Sequence, residues 1–144
     1  MRQLKIEFEK GGIFYAQLFE KEAPETCELI LKKLPFEYRF HQSIVSGHAI
    51  VCLPPDLTVV PENQRTIGIP AGGLSFLVKD PPRNVPDEIY IAYGPYFVSR
   101  CSYIEMQQPV NVFGQISGNL DGLRSVGSRI LMEGAENVKF SLAE

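Results

Sequence analysis

Apolar and polar residues alternate along two neighbouring segments near the start of the chain, residues 4–8 and 13–19. A repeat of two residues places successive side chains on opposite faces of a β-strand. The pair Gly11-Gly12 lies between the two segments, and glycine pairs favour the tight turns that join antiparallel strands. The pattern therefore predicts a β-hairpin.

After Pro24 the apolar repeat changes from two residues to about 3.6, the repeat of an α-helix. Four apolar residues fall at i, i+3, i+4 and i+7 and form one stripe: Cys27, Ile30, Leu31 and Leu34. Proline suits the first turn of a helix because its missing N–H group would have no partner there, and Pro35 ends the helix. We expect a helix over residues 24–34 that covers one opening of the core with this stripe.

Short apolar or alternating segments, separated by turn residues, fill the rest of the chain around a proline-rich loop at residues 79–87. The strands predicted after the helix are residues 36–45, 49–53, 74–78, 89–93, 110–116, 129–133 and 138–142, with weaker candidates at 67–69 and 96–104. Residues 119–123 are compatible with one short helical turn. Eight to ten short strands are typical of a sandwich or a closed barrel. We expect one mainly β domain over residues 1–144 with one clear α-helix.

Composition and charge narrow the classes of function. The net charge is -3 and no run of basic residues occurs, so the chain lacks the electrostatic character of a nucleic-acid-binding protein. The first ten residues match neither a signal peptide nor a membrane span. The three widely spaced cysteines contain no CxxC motif and predict reduced thiols rather than a metal or redox site. We expect a cytoplasmic protein that uses no cofactor and binds neither membranes nor nucleic acid.

Two stretches carry a resemblance to a known family. The segment GGIFYAQLFEKEAPETCELILKKLP resembles the start of cyclophilins, and EYRFHQSIVSGHAIV resembles the cyclophilin strand that carries a Phe-His pair. The later segments AGGLSFLV, IYIAYG and PVNVFGQISGNLDGL are similar to uncharacterised prokaryotic proteins with a cyclophilin-like barrel. The resemblance covers most of the chain in order. It implies a closed or nearly closed antiparallel cyclophilin-like β-barrel.

The residues that cyclophilins use for catalysis do not match. Cyclophilins isomerise the peptide bond before proline with an arginine, a hydrophobic cup of Phe and Met, and Gln, Trp and His residues. Gln42 follows Phe40-His41 where the resemblance would place the arginine, and residues 46–50 do not supply the Phe, Met and Gln. The chain contains no tryptophan. The resemblance therefore implies the barrel without prolyl isomerase activity, since a fold does not determine a function.

Five residues are the candidate ligand-binding site. Arg65, Tyr93, Tyr96 and Arg100 lie in segments that we expect to border the pocket of the barrel, and His48 lies in a predicted turn. Tyrosine supplies an apolar wall with a polar tip, and arginine a fork of donors that fits carboxylates. They predict a site for a small anionic ligand or a peptide. An ordinary polar rim explains the same residues and is the simpler interpretation.

Other constellations are weaker, and three functions stay open. His41, His48 and Glu37 are a candidate metal site, but solvent-exposed imidazoles are the preferred interpretation, so no metal is predicted. Asp121 and Arg124 are interpreted as a surface ion pair. The first function is ligand binding without isomerase activity. The alternatives are an enzyme on the same barrel and a structural subunit of a homo-oligomer, most simply a twofold dimer.

Overall fold

The computed structural model describes residues 2–54, 56–79, 87–101 and 104–144. Its elements are, in chain order, β1 (Gln3–Phe8), β2 (Ile13–Leu18), α1 (Pro24–Lys33), β3 (Phe36–Gln42), β4 (Gly47–Cys52), β5 (Gly73–Leu77), β6 (Glu88–Phe97), β7 (Arg100–Cys101), β8 (Ile104–Gln107), β9 (Asn111–Ile116), α2 (Leu120–Glu133) and β10 (Glu136–Leu142). Neither helix of these ranges has the length and apolar character needed to cross a membrane.

Eight of the strands close into one barrel in the order β1-β10-β3-β4-β6-β5-β9-β2. Every pair of neighbours around the barrel runs antiparallel. Closure leaves no unpaired strand edge, which removes the aggregation hazard that an open sheet carries. β7 and β8 pair separately. The predicted mainly β chain with a closed antiparallel barrel is confirmed.

The barrel interior is filled by the side chains that the period-two pattern placed on one face. β1 and β2 bury every second residue, as the alternation of residues 4–8 and 13–19 predicts. Aromatic rings fill the space between β3 and β10, where Phe36 and Phe40 stack on Phe140 at centroid distances of 4.9 and 6.0 Å. Such contacts add specificity of packing to the burial of apolar area.

α1 lies on this core with the stripe that its sequence predicts. Cys27 and Ile30 are buried, and Leu31 and Leu34 pack half-buried against the core. The helix ends at Lys33, one residue before the predicted end. Ala23 has no side chain that could cap the first turn, and the Glu62 carboxylate accepts the free N–H groups of that turn instead.

α2 corrects the sequence analysis. Two predictions for this region are wrong: a short helical turn at residues 119–123 and a strand at residues 129–133. A single helix of 14 residues, capped by Asn119, covers both segments. Its buried stripe has helical spacing but contains a glycine: Leu123, Val126, Gly127 and Ile130. A glycine in the stripe lowers helix propensity and hides the apolar repeat. The Asn119 side chain caps the helix by accepting from the Gly122 N–H.

Two smaller predictions also change. The strand predicted over residues 36–45 ends at Gln42, and residues 67–69 form no strand. Beside them Arg65 makes an isolated bridge with Val110. Residues 80–86 of the predicted proline-rich loop, and residues 102–103 of the weak strand candidate, lie outside the described ranges.

Candidate functional site

A β-bulge between β4 and β6 creates an irregular region on the barrel wall. Gly47 pairs with Phe97, but Ala49, two residues further along β4, pairs with Ala92, five residues back along β6. The extra residues of β6, 93–96, therefore lie opposite His48. Bulges interrupt the regular ladder and redirect side chains, and they occur often beside functional sites.

The bulge surrounds the His48 imidazole with aromatic rings. The ring centroid of His48 lies 5.5 Å from that of Tyr93 and 5.1 Å from that of Tyr96. Between the tyrosines, Gly94 leaves room for the imidazole, since a Cβ there would lie 2.6 Å from Nδ1 of His48. The Tyr96 backbone N lies 3.3 Å from the same nitrogen. These contacts with β6 position the imidazole and occupy its Nδ1.

Gln42, at the end of β3, fixes the first of these tyrosines. The Tyr93 hydroxyl donates to Oε1 of Gln42 at 2.7 Å, and Nε2 of Gln42 donates to the carbonyl oxygens of Ser43 and Gly47. Tyr93 is 3% exposed, and burial raises the pKa of its hydroxyl. Tyr93 therefore stays protonated at neutral pH, and the Gln42 amide is committed to internal hydrogen bonds.

α2 supplies a cation to the site. A Cβ at Gly127 would lie 2.1 Å from Cγ of Tyr93, so the helix backbone rests directly on the tyrosine ring. Arg124 is three residues earlier on the helix and points to the same side. Its Nη2 lies 3.4 Å from Nε2 of His48. No carboxylate whose side chain is described lies within 4.0 Å of this exposed guanidinium, so the predicted Asp121–Arg124 ion pair is absent.

The contact between Arg124 and His48 joins two donors. Burial, and to a lesser extent the charge of Arg124, lowers the pKa of His48, so the imidazole is neutral at pH 7 and has one N–H and one acceptor nitrogen. The Tyr96 N–H is fixed by the backbone and faces Nδ1, which makes Nδ1 the acceptor and puts the proton on Nε2. The Nε2–H then faces an Arg124 N–H. An oxygen acceptor from outside the chain would satisfy both groups.

The structure brings together three of the five predicted site residues: His48, Tyr93 and Tyr96. Arg65 lies apart, since its guanidinium donates to the Gly68 carbonyl oxygen at 2.5 Å. The Arg100 backbone binds the Ser46 hydroxyl, and its buried Nε has no hydrogen-bond partner among the described residues. Arg124, which the sequence analysis did not include, supplies the cation that the prediction assigned to Arg65 and Arg100.

Other chemistry proposed from the sequence finds little geometric support. No group of three or more His, Cys, Asp or Glu side chains in the described ranges is placed to hold a metal ion. His41 is exposed and contacts the Gln42 carbonyl oxygen. The thiols of Cys27 and Cys52 are free and buried, and burial raises the pKa of Cys27 to about 12, so that thiol is not a nucleophile at neutral pH.

Comparisons with known proteins show the family and the fold. No curated protein matches the sequence. The structure of McbB in complex with tryptophan is similar, with a TM-score of 0.69 and 20% identity over 96% of this chain and 44% of the McbB chain. The solution structure of the hypothetical protein AF2241 from Archaeoglobus fulgidus has a TM-score of 0.62 and 22% identity, covering 99% of this chain and 95% of that one. The chain thus spans less than half the length of McbB, and both likenesses concern the fold alone.

The family assignment rests on a match along almost the whole sequence. A family model described as "Protein of unknown function (DUF3830)" matches residues 6–142, from β1 to the end of β10. The match includes both helices, the second half of β1 and the whole of the other seven barrel strands. This chain belongs to the DUF3830 family.

Proposed function

We propose that this protein binds a small organic anion between the Nε2–H of His48 and the guanidinium of Arg124. One observation carries the proposal: Nη2 of Arg124 lies 3.4 Å from Nε2 of His48, and both are donors when Nδ1 of His48 accepts from the Tyr96 N–H. Arg124 is exposed, so water can accept from its guanidinium, but an anionic oxygen accepts from a charged donor more strongly and can accept from both groups at once. An oxyanion bound at this point takes the place of water between the two donors.

The surroundings of the two donors also suit ligand binding. Ligand sites combine apolar walls with a few well-placed polar groups. The exposed ring of Tyr96 provides an apolar wall, and the buried Tyr93, held in place by Gln42, supports the His48 imidazole. McbB, which has a similar fold, was solved in complex with tryptophan, a small molecule that carries a carboxylate. That likeness supports a small carboxylate as a ligand of this barrel.

Binding is a better proposal than covalent chemistry at this site. A nucleophilic serine must lie within hydrogen-bond reach of its base. The hydroxyl of Ser46 instead donates to the carbonyl oxygen of Arg100 and accepts from its backbone N–H, both at 3.0 Å. Among the described contacts, His48 meets Arg124 and the two tyrosines but no serine. The imidazole therefore has the partners of a binding group rather than those of a general base.

We also propose that the barrel is cyclophilin-like and lacks prolyl isomerase activity. The Phe-His pair and the order of segments support the first point, and the side chain of Gln42 supports the second. Gln42 would have to donate to the nitrogen of the prolyl amide, but its N–H groups are already bound to Ser43 and Gly47. In a coupled assay on short prolyl peptides we expect no acceleration. A rate near that of a cyclophilin would contradict this.

A titration of the purified protein tests anion binding. The probes are sodium acetate, benzoate and phenyl phosphate at constant ionic strength, and the readout is the NMR signals of the His48 imidazole. We expect a saturable shift with at least one probe, and we expect Arg124→Ala to abolish it. Arg65→Ala is the matched control, since Arg65 is also exposed but lies outside the site. The proposal fails if no probe shifts the His48 signals, or if Arg124→Ala leaves the shift intact.

A further inference from the structure

We infer that the anion bound at this site is a carboxylate carried by a flat aromatic group, which packs on the exposed face of Tyr96. This inference rests on the proposed function and adds the class of ligand. It depends on the exposure of Tyr96, on the charges around Arg124 and on the apolar residues beside them.

Tyr96 combines a fixed backbone with an open ring. Its side chain is 74% exposed, more than any other aromatic side chain of the described residues. Its backbone N–H faces Nδ1 of His48. Its carbonyl oxygen packs against Gly47, where an added Cβ would lie only 2.0 Å from that oxygen. The ring is tilted against the imidazole at a centroid distance of 5.1 Å. A flat apolar surface therefore lies beside the position expected for the anion.

The charges near the site favour a monoanion. Arg124 contributes one positive charge, and His48 contributes a neutral N–H because its imidazole is not protonated at pH 7. Asp121, three residues before Arg124, is exposed in the first turn of α2 and repels further negative charge. One carboxylate matches one guanidinium in charge and in its two acceptor oxygens. A phosphate dianion would carry a second charge without a second cation from the described site.

Apolar surface lies on the helix side as well. Leu120 is four residues before Arg124, on the same side of α2, and 39% of it is exposed. A ligand with only a carboxylate and a methyl group has little apolar area to bury against these residues. An aromatic ring attached to the carboxylate can stack on Tyr96, and such ring pairs stabilise a complex beyond the burial of apolar area.

The test compares ligands that differ in one property. Benzoate and cyclohexanecarboxylate share the carboxylate and the number of ring carbons but differ in flatness. Acetate lacks the ring, and phenyl phosphate changes the charge. By calorimetry with the intact chain, we expect benzoate to bind about tenfold more tightly than acetate and measurably more tightly than cyclohexanecarboxylate and phenyl phosphate.

Variants of Tyr96 separate the contribution of its ring to affinity from the contribution of the two donors that bind the anion. Tyr96→Ala should bring the ratio of benzoate to acetate affinity close to one, and Tyr96→Phe should preserve it because the ring remains. Tyr15→Ala is the matched control, since Tyr15 is a half-exposed tyrosine on β2, outside the site. Circular dichroism of each variant establishes that the barrel is folded.

Each outcome has one meaning. If acetate binds as tightly as benzoate, or Tyr96→Ala keeps the ratio, the aromatic class is wrong while the anion site stands. Equal affinity for cyclohexanecarboxylate overturns the role of flatness. Tighter binding of phenyl phosphate overturns the inference of a monoanion. If no ligand shifts the His48 signals, the proposed function itself is wrong.

Discussion

The two ends of α2 present arginines in opposite situations. Near the carboxyl end, Arg129 donates through Nε and Nη2 to both carboxylate oxygens of Glu136, at 2.6 and 2.7 Å, and to the Gly11 carbonyl oxygen at 2.8 Å. Nearer the amino end, Arg124 is exposed and faces a donor of His48. Arg129 has carboxylate and carbonyl partners, whereas Arg124, five positions earlier, has no acceptor among the described residues.

The difference separates an arginine that holds the fold together from one that we propose binds a ligand. Glu136 is fully buried, and burial alone would raise its pKa, but the bonds and charge of Arg129 and the Lys10 N–H lower it below the usual value. Arg129 therefore fixes α2 to β10 and to the β1–β2 turn. Arg124 makes no hydrogen bond to a carboxylate or carbonyl of the described residues, so its donors are open to water or to the ligand that we propose.

The largest expected effect on stability comes from removing the Arg129–Glu136 pair at the carboxyl end of α2. Arg129→Ala leaves the Glu136 carboxylate buried without its partner, and we expect a loss of about 3–5 kcal/mol in the free energy of unfolding. Urea denaturation measures it. The matched control is Arg39→Ala, which removes an exposed arginine 3.8 Å from Glu9 and should cost less than about 1 kcal/mol. Equal costs for the two variants would show that the buried pair does not hold the helix.

The middle of the helix links the two ends. In Gly127→Ala the new methyl group would meet the Tyr93 ring at 2.1 Å, so the helix must move. We expect a loss of about 1–3 kcal/mol in the free energy of unfolding and weaker benzoate binding, because Arg124 moves away from His48. Ser128→Ala, an exposed neighbour, is the control and should change neither. Unchanged benzoate affinity in a destabilised Gly127→Ala protein would show that α2 does not position Arg124.

The contrast between α1 and α2 also explains what the sequence predicts. The α1 stripe consists of apolar side chains throughout, so its period is visible without the structure. In α2 one stripe position is Gly127, whose role is to let Tyr93 approach and not to bury a side chain of its own. That role depends on a contact between residues 34 positions apart and leaves no periodic signal. The barrel and α1 were therefore predictable, and α2 was not.

The same reasoning applies to the candidate site. His48, Tyr93 and Tyr96 lie on neighbouring strands, and sequence analysis proposed all three. Arg124 lies 76 residues from His48 and reaches it only through the unpredicted helix. The choice of Arg65 rested on residue type and expected loop position, and its contact with the Gly68 carbonyl was not visible in the sequence. Residue types predicted an arginine in the proposed site, but only the packing of α2 shows which arginine lies beside His48.

A smaller effect concerns pH. Burial and Arg124 lower the pKa of free His48, and a bound carboxylate should raise it, since an opposite charge favours the protonated ring. Benzoate affinity should therefore decrease as pH rises from the pKa of the free imidazole to that of the complex, by up to about tenfold per unit between them. Below and above this window the affinity should be constant while benzoate stays ionised.

His48→Gln is the control for this dependence, because an amide donates a hydrogen bond without titrating. The other polar groups against the imidazole are Arg124 from α2 and Tyr93 and Tyr96 from β6, and burial raises the pKa of the Tyr93 hydroxyl above its usual value. Calorimetry across the same pH window should give a flat affinity for the variant. An equal slope in both proteins would assign the pH dependence to a group other than His48.

The smallest expected change in stability, that of Arg124→Ala, tests the contrast between Arg124 and Arg129 most directly. Arg124→Ala removes an exposed guanidinium that has no described carboxylate partner, so the free energy of unfolding should change by less than about 0.5 kcal/mol. Removing its charge should also raise the pKa of His48 slightly, while burial, the larger cause, keeps it below the usual value. Urea denaturation and an NMR titration of the imidazole measure the two quantities. A destabilisation as large as that of Arg129→Ala would mean that Arg124 also holds α2 in place. Lost anion binding with unchanged stability would instead establish that one helix carries one arginine for the fold and another for the ligand.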